Sequence, residues 1–303
     1  MVFYKEQTSN DKDVVSMKTG LVLEGGGMRG MYTIGVLDRF LNAGISFDYV
    51  IGVSAGACNG VSFVARQRGR NYRINTKYAT DKRYISLSNL MSERSLFGMK
   101  FLFETVPDEL VPFDYGTFLS SPCEFVTGVT DVKLGRPVYF GKEALDHDTT
   151  VLRASSSIPC FSPMVPFRGG LYLDGGTSDP IPFRKALTDG CDRVVVVLTR
   201  DRAYRKKPEG LRPVYRTMYR RYPAMIELLD RRYLIYNRTL DDLRAAEAKG
   251  LALVIAPEAP LSIGRFEHDP RRLAAAAQLG YHDAARLEQK IRSFFRRPAD
   301  VPQ

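Results

Sequence analysis

A serine stands in Gly52-Val53-Ser54-Ala55-Gly56, directly after the apolar run 49–53. At a strand-to-helix corner such a serine is thrust out of a tight turn as a nucleophile, and Gly52 and Gly56 are the small neighbours that the corner requires. Upstream, the apolar run 21–23 leads through Glu24 into Gly25-Gly26-Gly27-Met28-Arg29-Gly30. That backbone suits only glycine, and the helix after it offers free N–H groups to an anion. The two motifs together suggest acyl transfer. Ser54 would attack a carbonyl, while N–H groups within Gly25, Gly26, Gly27, Met28, Arg29, Gly30 and Ala55 would hold the oxyanion that forms.

Serine needs a base. Only His147, His268 and His282 exist, and none follows a strand with small residues around it, so each reads as a surface or supporting histidine. Asp174, in Leu171-Tyr172-Leu173-Asp174-Gly175-Gly176, is the better partner. It ends an apolar strand, and Gly175 and Gly176 allow close backbone approach. If that strand lies beside the one ending in Ser54, both side chains meet at the carboxyl edge of the sheet, where open α/β folds bind ligands. The alternative is a turn aspartate with a structural role.

The upstream glycines also match the dinucleotide spacing G-x-G-x-x-G. That reading needs an acid at the end of the second strand to bond a ribose hydroxyl. Asp48 begins that strand instead, and Gly52-Val53-Ser54 occupies its end.

The elements that must position these residues are legible as an α/β alternation from residue 20 to about 200. Strands are expected at 20–23, 49–53, 123–131, 137–140, 170–173 and 193–198. Helices are expected from 28 to before Gly44 and from 55 to about 67. Residues 70–115 carry mixed aromatics without a clear period. They would either cover the cleft as a lid or pack away from it as a helical insertion. After 198 the pattern becomes helical: Pro213 and Pro223 open helices, Gly250 ends the second, and 251–255 reads as a strand added at a sheet edge. Two further helices are expected, near 270–279 and 281–295. The implied organisation is a tail (1–18), a catalytic domain (19–205) and a mostly helical basic extension (206–303).

The 303 residues, 44% hydrophobic, are enough for one substantial core. Residues 1–18 lack the apolar region of a secretory signal, and no apolar run approaches a membrane span. The four cysteines are scattered and no calcium-loop spacing occurs, so neither cofactor nor metal is expected and a cytoplasmic location is the simplest. The net charge of +10 is uneven: residues 201–303 hold 21 Lys/Arg against 13 Asp/Glu, whereas 1–200 hold 23 against 21. The densest run spans 200–232, with interleaved tyrosines. It reads either as peripheral attachment to anionic membrane or as a solvated helix face, and no nucleic-acid module accompanies it.

Three ordered motifs resemble the patatin-like phospholipases. Gly25 to Gly30 is similar to the family's oxyanion-hole motif, Gly52 to Gly56 to its nucleophile elbow, and Asp174-Gly175-Gly176 to its acid box. Arg153-Ala154-Ser155-Ser156-Ser157-Ile158-Pro159 is similar to the family's Ser-rich pocket segment. The resemblance covers about 20–200, and the part after 205 resembles the extension of a bacterial branch. It implies a three-layer α/β/α fold with a mainly parallel central sheet, no cofactor, a Ser54–Asp174 dyad, and a lipid or other acyl ester as substrate. An acyltransferase or thioesterase would use the same residues. A lipid- or nucleotide-binding module without turnover is the alternative from a different class. Nothing in the chain fixes its oligomeric state.

Overall fold

The computed structural model describes residues 17–145 and 147–296; nearly all of the expected tail lies outside the described residues. One eight-stranded sheet organises the chain: β1 (Thr19–Leu23), β2 (Tyr49–Val53), β3 (Glu124–Asp131), β4 (Arg136–Gly141), β5 (Val165–Phe167), β6 (Gly170–Asp174), β7 (Arg193–Val197) and β8 (Ala252–Ile255). Its order is β5-β6-β3-β2-β1-β7-β8, with β4 also pairing β3. Pairings among β3, β2, β1, β7 and β8 are parallel, and those of β4, β5 and β6 are antiparallel.

Period-2 alternation assigns the central strands to two cores. Leu21 and Leu23 of β1 face one core, with Val36 and Phe40 of helix α1 (Gly30–Asn42) and Val61 of helix α2 (Ala55–Val64). Val22 faces the other, with Phe183, Tyr236 and Leu240. These last three belong to the helices Phe183–Thr188 and Pro223–Ala248, so helices cover both faces in a three-layer α/β/α arrangement.

The residues after 205 are built into this body. All four residues of β8 are buried, and β8 extends the sheet parallel to β7. The helices expected at 270–279 and 281–295 are one helix, Pro270–Phe294. Gly280 does not end it, because its missing side chain is used for packing: a Cβ there would lie 2.0 Å from the Tyr32 carbonyl oxygen on α1. Gly35 serves the same apposition from α1, since a Cβ there would lie 1.8 Å from the Ala277 carbonyl oxygen. Across the contact Tyr32 donates to Asp283 at 2.8 Å. The short strand β5 was not expected, as three residues around a proline carry no periodic signal. Among the described residues no helix is long and apolar enough to cross a membrane.

Candidate active site

Ser54 follows the last residue of β2 and precedes the first of α2, with φ 54° and ψ −130°. This left-handed φ is strained for a residue with a side chain, and the surrounding packing holds it. Gly52 and Gly56 make the corner possible, since a Cβ at Gly56 would lie 2.3 Å from the Leu23 carbonyl oxygen and one at Gly52 2.6 Å from the Ala57 nitrogen. The Ser54 N–H donates to Ser155 Oγ at 2.8 Å, and the Ser155 hydroxyl donates to the Gly128 carbonyl at 2.6 Å. Ser155, fully buried, therefore pins the turn to β3.

Asp174 reaches Ser54 by a different route from the one expected. Its strand, β6, is neither adjacent nor parallel to β2: β3 lies between them, parallel to β2 and antiparallel to β6. The register brings the two ends together. Val53 pairs with Gly128 while Asp174 pairs with the next residue, Val129. The intervening step is bare backbone, because Gly175 crosses so close to Gly128 that a Cβ would lie 2.1 Å from the Gly128 carbonyl oxygen. The carboxylate accepts from the Gly176 N–H at 2.8 Å, and Ser54 and Asp174 line one cavity together. Burial raises the Asp174 pKa. Arg232 leads the groups that oppose this, followed by the Ser54 hydrogen bond, Arg265 and the Gly176 N–H.

The glycine loop packs against the elbow. A Cβ on Gly25 would lie 3.0 Å from Ser54 Cβ, and Gly27 has φ +58°. Not every expected donor is free. The Met28 N–H donates to the Arg265 carbonyl at 3.1 Å, and the Gly30 N–H is bonded to the carbonyls of Gly27 and Met28. Met28 and Gly30 are therefore corrected from donors to supports, since each N–H is spent on closing the turn. The N–H groups of Gly25, Gly26, Gly27 and Ala55 have no acceptor among the described residues. Glu24 anchors the loop from beneath, accepting from the Thr199 N–H and the Tyr236 hydroxyl, each at 2.6 Å.

Two cavities share Ser54, Gly27 and Ile158 in their walls. The first, about 160 Å³, is mostly apolar, with Met31, Ile34, Ile74, Leu102, Val106 and Leu152 among its lining. Much of its wall comes from residues 70–115, including the π-helix Phe101–Leu110, so that segment packs over the site. The second, about 100 Å³, is polar and contains Asp174, Glu24, Arg29, Arg200, Lys206, Arg232 and Arg265. No histidine lines either one; His147 stacks on Tyr115 at 4.5 Å.

The sequence model of the patatin-like phospholipase family matches residues 21–187, a span that takes in the serine elbow, the glycine loop and Asp174. The chain belongs to that family. A second match, to a domain of unknown function (DUF6363), covers residues 222–296. Among similar proteins, uncharacterized protein YjjU of Escherichia coli (strain K12) is 33% identical over 187 residues, covering 60% of this chain and 52% of that protein. Lysophospholipase nte1 of Aspergillus terreus is 29% identical over 59% of this chain, but the match spans only 12% of that protein. Lysophospholipase NTE1 of Candida albicans is 28% identical, again over 59% of this chain and 13% of its own length. The chain thus matches about half of the first relative and about an eighth of the others. VipD from Legionella pneumophila aligns over 91% of this chain and 67% of its own, with TM-score 0.45 and 12% identity.

In this patatin-like chain several site residues had gone unnoticed in the sequence. Ser155 lay within a segment read only as pocket wall. The run 200–232, read as surface charge, divides instead: Arg202, Arg205, Arg212 and Arg216 form ion pairs with acids, while Arg200, Lys206 and Arg232 line the polar cavity. A signal for Arg232 was present. It falls in helical register between buried Leu228 or Leu229 and buried Tyr236, a cation on an otherwise apolar stripe.

Proposed function

We propose that this protein is a serine lipid acyl hydrolase in which Ser54 is the nucleophile and Asp174 its base. The observation that carries the reading is that Ser54, in the wall common to an apolar and a polar cavity, shares the polar one with the buried carboxyl group of Asp174. Asp174 takes the Ser54 proton as Oγ bonds to the ester carbonyl carbon. The carbonyl oxygen becomes an oxyanion beside the N–H groups of Gly25, Gly26, Gly27 and Ala55. Collapse breaks the ester C–O bond, and the alkoxide leaves with the proton held by Asp174. Water then repeats the sequence on the acyl-Ser54, giving its proton to Asp174, and expulsion of Ser54 returns it. The raised pKa makes Asp174 a stronger base than a solvated carboxylate.

The apolar cavity suits the acyl chain, and the lysophospholipase names of two relatives favour a lipid ester. The same chemistry would serve a thioester or another acyl acceptor. A fluorophosphonate probe tests the reading. It should label wild type on Ser54, fail on Ser54→Ala and label Asp174→Asn far more slowly; a folded wild type that does not react refutes it. The helix Leu87–Ser92, within the segment 70–115 that supplies much of the apolar cavity's wall, exposes Leu87 and Met91, at 76% and 89%, which supports peripheral contact with a lipid surface. Co-sedimentation with anionic vesicles should fall for Leu87→Ser/Met91→Ser if that contact is real.

A further inference from the structure

The polar cavity contains far more positive charge than a Ser–Asp pair requires. Its wall carries five cations, Arg29, Arg200, Lys206, Arg232 and Arg265, against two carboxylates, Glu24 and Asp174. Burial raises the pKa of both carboxyl groups. Glu209 neutralises part of the set, pairing with Lys206 at 2.9 Å and with Arg232 at 3.0 Å. Arg29, Arg200 and Arg265 have no side-chain ion pair among the described residues, and the Arg200 guanidinium only stacks on Tyr204 at 4.4 Å. Arg29 is buried with its Nε unpartnered. Its pKa is lowered to about 10, by desolvation first and then by the charges of Arg200 and Arg265. A buried cation without a partner, with further cations beside it, costs free energy unless a ligand supplies the opposing charge.

The elements that bring these groups together come from separate parts of the chain. Arg29 leaves the glycine loop, Arg200 follows β7, Arg232 lies mid-helix in Pro223–Ala248, and Arg265 follows β8. The last two lie within the region matched to a domain of unknown function. That region also reaches the acid box and the glycine loop directly, through Arg232 donating to the Gly176 carbonyl at 3.2 Å and the Arg265 carbonyl accepting from Met28. Guanidinium groups approaching from several directions suit a tetrahedral oxyanion better than a planar carboxylate, because each fork can take a different oxygen pair.

Ser54 lies in the wall common to both cavities, so an ester held there with its acyl chain on the apolar side directs its alcohol half into the cationic one. We infer that this cavity is a phosphate subsite, built largely by the C-terminal region, which binds the phosphate of the substrate's alcohol half and so selects phosphate-bearing acyl esters over uncharged ones. This rests on the hydrolase reading for its catalytic consequence but not for the binding itself.

The full chain tests it with Arg265→Gln and Arg200→Gln. Gln keeps the Arg265 stem that packs on Gly27, and Arg200 makes no ion pair whose loss would disturb folding. The measurement is kcat/KM for a lysophospholipid relative to a monoacylglycerol of the same chain. That ratio should fall at least about tenfold in each variant, the loss of one charge-assisted contact. In parallel, glycerol 3-phosphate and inorganic phosphate are titrated against Ser54→Ala protein by calorimetry. Glycerol 3-phosphate binding that weakens in Ser54→Ala/Arg265→Gln supports the subsite even if no substrate is turned over. A ratio unchanged in both variants overturns the inference and leaves the hydrolase reading standing. Inorganic phosphate binding without any preference for the lysophospholipid also overturns it, showing a free-anion site instead. Binding of glycerol 3-phosphate with no fluorophosphonate labelling of Ser54 sinks the hydrolase reading and keeps the subsite.

Discussion

Removing the Ser155 hydroxyl should disable the elbow without touching a reacting atom. In Ser155→Ala the Ser54 N–H loses its acceptor at 2.8 Å and the Gly128 carbonyl loses its donor at 2.6 Å. Both lie in a region where Ser155 is fully buried and Ser54 is 6% exposed, so bulk water does not replace them. Two net hydrogen bonds, with their partners stranded, amount to a loss of about 2–4 kcal/mol. In a chain of this size that is a fall of roughly 3–8 °C in Tm. The strained φ of Ser54 was held by this contact, so the turn should relax and carry Oγ away from Asp174. A displacement near 1 Å costs about 100-fold in rate. The expected result is therefore a kcat lower by about 10–100-fold with KM little changed, measured on a chromogenic acyl ester beside a thermal melt. Ser157→Ala is the comparison: its hydroxyl donates only to the Arg153 carbonyl, at 2.8 Å, so it should lower Tm by less and leave kcat nearly intact. If Ser155→Ala keeps both Tm and kcat, the clamp does not hold the nucleophile.

Other expectations concern charge and packing. Because the base must be ionised and burial raises its pKa, kcat/KM should fall on acidification at a pH above the ordinary carboxylate value of about 4, and Arg232→Gln should move that acid limb upward; a limb that stays put in the variant removes Arg232 from the electrostatic account. A raised folded pKa means the folded state holds the proton more tightly than the unfolded chain. That stabilising contribution is complete below the unfolded pKa and lost as pH rises through the folded one. Asp174→Asn should accordingly melt no lower than wild type at pH 7 while losing activity, and a clear fall in Tm would show that the ionised carboxylate stabilises the fold. Gly280→Ala gains about 1 kcal/mol of helix propensity but forces a Cβ to within 2.0 Å of the Tyr32 carbonyl. Overpacking of about 1–3 kcal/mol should win, so denaturant midpoints should drop.

What the sequence disclosed divides along a physical line. Elements stabilised by local pattern, the strands carrying the glycine loop, Ser54 and Asp174, and the helices α1 and α2, could be read from alternation and small residues. The register that joins Ser54 to Asp174 could not, because it depends on β3 coming between their strands, a non-local pairing. Gly280 misled for a related reason: a helix-ending residue by propensity was recruited for contact with Tyr32. Ser155 lay in a segment legible only as pocket wall and Arg265 carries no motif; their roles arise only when β3 is brought to the elbow and the segment after β8 to the glycine loop.

The bond from Met28 to the Arg265 carbonyl has a consequence for biosynthesis. A chain made from its amino terminus meets Gly25 to Gly30, Ser54 and Asp174 early, yet the peptide that closes the glycine loop is translated well after them. The parts of the candidate site are thus present on the ribosome in an unassembled state. The glycine loop should therefore reach its final shape only when the strand Ala252–Ile255 has docked and delivered Arg265, so the N-terminal motifs wait on a segment more than 200 residues downstream.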